Sequence, residues 1–199
     1  MKQLRMSSLI LLGSILAMGA TAKADVVINF TDLNFVNTAG NPDYRLEYSG
    51  GQLIGELTAI SGNFQITAGT GDIWANDLGI FISNQSDIQL ASNGGAGLAQ
   101  VGGFGSPWGA AEKIDWANGG GGPGGDNDTV NDTRTLTTPI TFNGNAGDPN
   151  VFLGHLYNSG TEGTWTGSIT LVGVSVVPEP TGVMLFSISC LGLGLMRRR

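Results

Sequence analysis

The chain has 199 residues, 33 of them glycine, with 13% charged and 41% apolar side chains and a net charge of −7. That length allows one modest domain with a tail at each end, and the composition excludes a collagen repeat and an acidic disordered polymer. The acidic balance excludes nucleic acid, which needs clustered Lys and Arg; one cysteine and one histidine exclude a disulfide framework, a Cys-based zinc site and any paired-imidazole site.

Residues 1–24 read as a secretory signal. Lys2 and Arg5 form a basic start, an apolar run follows over 6–20, and Ala22-Lys23-Ala24 supplies the small-x-small pattern that a signal peptidase accepts. Cleavage after Ala24 leaves Asp25 as the new N-terminus of a mature domain spanning 25–177. That span carries three basic residues (Arg45, Lys113, Arg134) against fifteen acidic ones. Such a surface is soluble and repels acidic polymers.

The mature span shows strand periodicity and no helical stripe of useful length. Strands are expected at 26–30, 52–60 and 63–68, then at Leu78, Ile80 and Ile82. Asn84 to Asp87 reads as a turn into a strand through Ile88 and Leu90. Further strands are expected at 135–142 and 151–157. The cleanest alternation places Trp165, Gly167, Ile169 and Leu171 on one face, with Thr164, Thr166, Ser168 and Thr170 on the other. Short strands separated by glycine and asparagine point to an all-β, two-layer antiparallel β-sandwich, jelly-roll-like. Its core is large enough to need no disulfide. Phe30, Phe64, Trp74, Phe81, Phe104, Phe142, Phe152, Tyr157 and Trp165 are expected to anchor it. Trp108 and Trp116 lie in loop-like sequence and read equally as core or as sugar-stacking platforms.

Within this span few motifs carry chemistry. Gly119 to Gly125 is no phosphate loop, since no Gly-Lys-Ser/Thr follows, and reads as a flexible surface loop. Asp126, Asp128 and Asp132 follow it, with Asn127 and Asn131 between. Hard oxygen ligands at this density suit calcium at the weak extracellular affinities of about 10⁻⁴–10⁻³ M, although the spacing departs from an EF-hand and a solvated loop is the favoured reading. No other cofactor is expected. His155, alone in an alternating strand, reads as structural. Fifteen acids would permit a two-carboxylate glycan hydrolase, but no signature singles out a pair. Asp77, beside Trp74, reads as a candidate acid or as the pin of the turn before Leu78.

The chain closes on Pro178-Glu179-Pro180, an uncharged apolar stretch over 181–196 and Arg197-Arg198-Arg199. The prolines keep the tripeptide extended. The apolar stretch would form a helix of about 24 Å, somewhat short for a hydrocarbon core of about 30 Å. The arginines are expected to stay cytoplasmic, which places the mature domain on the far side. Cys190 sits in this helix and reads as a small apolar residue.

This tail resembles the PEP-CTERM sorting signal of Gram-negative bacteria. The matching residues are Pro178, Glu179 and Pro180, the apolar helix 181–196 and the basic cluster Arg197, Arg198 and Arg199. The resemblance implies a membrane-embedded cysteine transpeptidase, the exosortase, that recognises the tail and cleaves near the tripeptide, and it implies a setting of exopolysaccharide and biofilm matrix. Four segments of the mature span, 74–78, 98–104, 153–157 and 163–169, are similar to the ectodomains of other PEP-CTERM proteins. The strand after Asp77 and the final Gly-Thr-Trp strand are also similar to the P-domain of proprotein convertases, a jelly roll. The sequence therefore leads us to expect three regions: a signal peptide (1–24), a β-sandwich ectodomain (25–177) and a sorting signal (178–199). The expected route is an inner-membrane intermediate with a periplasmic ectodomain, then the cell surface or the extracellular matrix. Signal peptidase and exosortase are the expected processing partners, and exopolysaccharide is the expected matrix partner. The expected role is non-catalytic; the alternatives are a carbohydrate-binding module, with calcium as its cation, and an extracellular glycan hydrolase.

Overall fold

The computed structural model describes residues 25–37, 43–87, 97–103, 109–155 and 161–177. The expected signal helix, the sorting tail, the strand at Ile88 to Leu90 and the aromatics Phe104, Trp108 and Tyr157 lie outside the described residues. Among the described residues nine strands form: β1 (Val26–Asn37), β2 (Tyr44–Tyr48), β3 (Leu53–Thr70), β4 (Leu78–Ser83), β5 (Gly97–Val101), β6 (Ala110–Ile114), β7 (Thr129–Asn143), β8 (Asn150–His155) and β9 (Thr161–Val176). A 3-10 turn, Ala75–Asp77, precedes β4. Among the described residues no helix is long and apolar enough to cross a membrane.

The strands form two sheets, one of four strands in the order β1-β9-β3-β7 and one of five in the order β2-β8-β4-β5-β6. All pairings are antiparallel except β5 with β6. Facing side chains from both sheets join in one hydrophobic core, including Phe30, Phe64, Trp165 and Ile169 from the first sheet and Leu78, Ile80, Val101 and Leu153 from the second. The fold is thus a β-sandwich, built on the period-two alternation of its strands.

The two sheets treat their outer faces differently. In the four-stranded sheet the outer face is solvated, as at the start of β1, where Val26, Ile28 and Phe30 are buried while Val27 and Asn29 are exposed. In the five-stranded sheet all six residues of β4 are buried. Phe81 pairs with Phe152 in register and packs with Tyr44 and Ala110 as a second cluster on the far side of that sheet. The half-buried strand expected at 78–82 is therefore apolar on both faces, as its near-continuous hydrophobic run allows.

Three further differences from the sequence expectations have physical causes. The strands expected at 52–60 and 63–68 are one strand, β3. Ser61-Gly62 is not a break: a Cβ on Gly62 would lie 2.8 Å from the Phe64 ring and 3.2 Å from Trp116, so the glycine admits two aromatic rings rather than a turn. The strand expected at 135–142 begins earlier, at Thr129, and draws Asp132 into its ladder opposite Gly62. Finally β2, β5 and β6 are short strands whose sequences lack a clear alternation, and two of them form sheet edges.

Candidate functional site

The polar chemistry of the sandwich gathers in three places. The first is the end where β3 passes into β4. Here the 3-10 turn is held by two indoles: Trp165 Nε1 donates to the Ala75 carbonyl at 3.1 Å and Trp116 Nε1 to the Leu78 carbonyl at 2.9 Å. Both rings are buried, so Trp116 belongs to the core and is no sugar platform. Trp74 is partly exposed.

Asp77 closes the turn. Its Oδ2 accepts the Trp74 N–H at 2.7 Å, the pinning role its position suggested. The side chain is fully buried. Burial pushes its carboxyl up from 3.8 to about 7; the Trp74 bond opposes the shift and the nearby Asp72 charge adds to it. His155 at the end of β8 is also fully buried, with its ring 5.5 Å from that of Trp165. Burial pushes it down from 6.5 to about 4, so the imidazole is neutral at pH 7.

The glycine run docks on the same turn. Gly121 accepts the Ala75 N–H at 3.0 Å and Gly119 accepts the Asn76 N–H at 2.9 Å. A Cβ on Gly121 would run into the Asp126 carbonyl and Asn127. The segment expected as a flexible loop is therefore a fitted strap. Gly121→Ala is expected to lower stability by about 1–3 kcal/mol, the usual range for overpacking, and urea unfolding would measure it. An unchanged midpoint would mean that the strap does not hold.

The acidic segment that follows is spread out. Asp126 lies in the turn, Asp128 just before β7 and Asp132 within β7. The Asp132 carboxylate accepts the Ala117 N–H at 2.7 Å and pairs with Arg134 at 3.1 Å. Among the described residues no three His, Cys, Asp or Glu side chains form a group that could hold a metal ion.

The second place is a cleft of about 540 Å³ between β6 and the upper part of β7, which Glu112 and Asp148 both line. Each carboxylate is tied to backbone. Glu112 accepts the N–H groups of Thr137 at 2.6 Å and Thr138 at 3.3 Å; Asp148 accepts those of Asn143 at 2.7 Å and Asn145 at 3.0 Å. Burial acts to raise both carboxyls, but these bonds outweigh it and hold both below their ordinary values. Both therefore stay ionised at neutral pH.

The third place is the solvent face of the four-stranded sheet. Register aligns Asn29, Ser168, Asn63 and Asn131 in one row across all four strands. A groove of about 490 Å³ crosses this row, lined also by Gln65, Thr129 and Thr166, with no ionisable side chain in its lining. A bulge in β1 shapes one end, where Asp32 takes a φ of 49° and donates its N–H to Thr166 Oγ1 at 3.0 Å. Among the described residues the amides of Asn29, Asn63 and Gln65 have no side-chain partner. Sequence reasoning passed over these positions because strands separated by long intervals bring them together. Only the threonine face at 164–170 signalled a polar surface.

No family model matches the chain, and neither a curated protein nor a solved structure matches it. The residues themselves carry the functional argument.

Proposed function

We propose that this is an exported protein of the bacterial envelope or extracellular matrix, sorted by an exosortase, whose β-sandwich is a non-catalytic jelly roll. The observation that carries the reading is the order Pro178-Glu179-Pro180, apolar stretch 181–196, Arg197-Arg198-Arg199, following directly on a finished sandwich. Two contacts support the division at either end. Asp25, the first residue after the expected signal cleavage, accepts the Gly173 N–H on Oδ1 at 2.9 Å. Val177, just before the tripeptide, donates its N–H to the Gln52 carbonyl at 2.9 Å. Signal peptidase and exosortase would thus act on segments flanking the fold.

The jelly-roll reading rests on strand order. β1-β9-β3-β7 facing β2-β8-β4-β5 is the pairing that two interleaved Greek keys produce, with β6 added in parallel at one edge. The non-catalytic reading rests on the state of the acids and the histidine. A two-carboxylate hydrolase needs one carboxyl kept protonated and facing substrate. Glu112 and Asp148 share a cleft but are both held ionised, whereas Asp77, which is raised, is sealed at the other end of the sandwich together with His155.

Replacing Pro178, Glu179 and Pro180 together by alanine is expected to leave an unprocessed, membrane-bound precursor, while the parent is shortened at both ends. Fractionation and intact mass of the protein recovered from cells read this directly. Processing and release of the variant at the parent's rate would sink the sorting reading.

A further inference from the structure

We infer that the groove on the four-stranded sheet is a binding site for an uncharged polysaccharide. The argument starts from what the lining offers. Asn29, Asn63 and Gln65 present free primary amides, each with two donors and a carbonyl acceptor. Ser168 adds a hydroxyl that both donates and accepts, while those of Thr129 and Thr166 are engaged by Asp128 and Asp32 and border the groove. A sugar ring displays adjacent hydroxyls with the same dual character. An amide can therefore bridge two neighbouring hydroxyls, and successive side chains along the row can engage successive rings.

The groove also excludes rivals. No cation lines it, so an anionic glycan, a phosphate or a nucleic acid finds no ion pair there, and the acidic surface of the domain repels such polymers. A protein partner would need a desolvated apolar or aromatic anchor, which the polar lining does not supply. Phe30 and Phe64 also line the groove, but both are buried, with ring centroids 6.0 Å apart on the core side of the sheet. Shape agrees with a chain rather than a small molecule. The row crosses four strands, about 14 Å at the usual strand spacing, and lies open to solvent.

Close packing of two strands makes the floor beneath such a chain. Gly167 separates Thr166 from Ser168 with a φ of 145°, and a Cβ there would strike the Phe64 backbone. The glycine lets β9 lie close against β3, so the hydroxyls of β9 and the amides of β3 come level. Binding here depends on hydrogen bonds and not on charge, and this site is independent of how the tail is sorted.

The test uses the full chain in mild detergent, run through native gels containing a linear β-glucan, a galactomannan, dextran or alginate. We expect retardation by at least one of the three neutral polymers, insensitive to added salt, and none by alginate. The double variant Asn63→Ala/Gln65→Ala is expected to weaken that retardation about tenfold or more, given the loss of several hydrogen-bonding groups. Thr135→Ala, on the same sheet outside the groove, should bind like the parent. Both sites are exposed, and an unchanged thermal midpoint will show that the variants fold. Retardation by alginate alone, no retardation by any polymer, or equal binding by parent and double variant would each overturn the inference.

Discussion

Trp165→Ala is expected to destabilise the protein by about 3–5 kcal/mol, a large share of what holds a domain of this size. The ring is fully buried in the centre of the sandwich, 6.4 Å from Phe35 and 5.5 Å from His155. Truncation removes its packing and also leaves the Ala75 carbonyl without its indole donor. Trp165→Phe separates the two effects. It keeps most of the apolar volume but abolishes the hydrogen bond, so a smaller cost of about 1–3 kcal/mol is expected. Urea unfolding followed by fluorescence from the other tryptophans gives both numbers. A midpoint that does not move in Trp165→Ala would contradict the burial on which the core rests.

The second large effect is in the pH dependence of stability, where two buried groups oppose each other. Asp77 is raised from 3.8 to about 7, so its contribution is fully present below pH 3.8 and is lost as pH rises toward 7. His155 is lowered from 6.5 to about 4, so its contribution is present above pH 6.5 and is lost as pH falls toward 4. Across the shared window each changes stability by up to about 1.4 kcal/mol per pH unit, in opposite directions. The parent should therefore be nearly indifferent to pH between about 4 and 6.5. Asp77→Asn should unmask His155 and become more stable by about 3 kcal/mol as pH rises through the window. His155→Gln should unmask Asp77 and show a slope of the opposite sign. Glu112 and Asp148, lowered from 4.5 and 3.8, begin to lose their contribution at the acid end of this window and lose it further below, in all three proteins alike. Denaturation at a series of pH values reads the slopes. Parallel slopes in parent and variants would show that neither group changes its protonation on folding.

What the sequence showed clearly was alternation, and alternation reports one face at a time. Trp165, Ile169 and Leu171 are all buried, as their spacing requires, and β9 forms as expected. β4 also forms where expected, but its second apolar face was hidden: Phe81 meets Phe152 only through register with β8. Glycine misled in both directions. Gly62 looked like a break and admits aromatic rings; the run at 119–125 looked loose and is bonded to the 3-10 turn. The groove is the clearest case of information that no local window contains. Asn29, Asn63 and Ser168 each look like an ordinary solvent-facing strand residue until three strands place them side by side. Asp77 and His155, in contrast, were visible as residues of interest, and only burial could show that both are sealed from solvent.

The position of β9 also governs when the fold can form. It is the last of the described strands to be synthesised, yet it lies between β1 and β3 and pairs with both. The bond from Gly173 to Asp25 joins residues 148 positions apart. The first strand therefore waits for a partner until almost the whole domain has left the ribosome, and pairings so distant along the chain close slowly. The four-stranded sheet therefore cannot be completed before β9 emerges, because β1 and β3 meet only through it. The same arrangement that completes the sandwich thus delays it until synthesis of the domain is nearly finished.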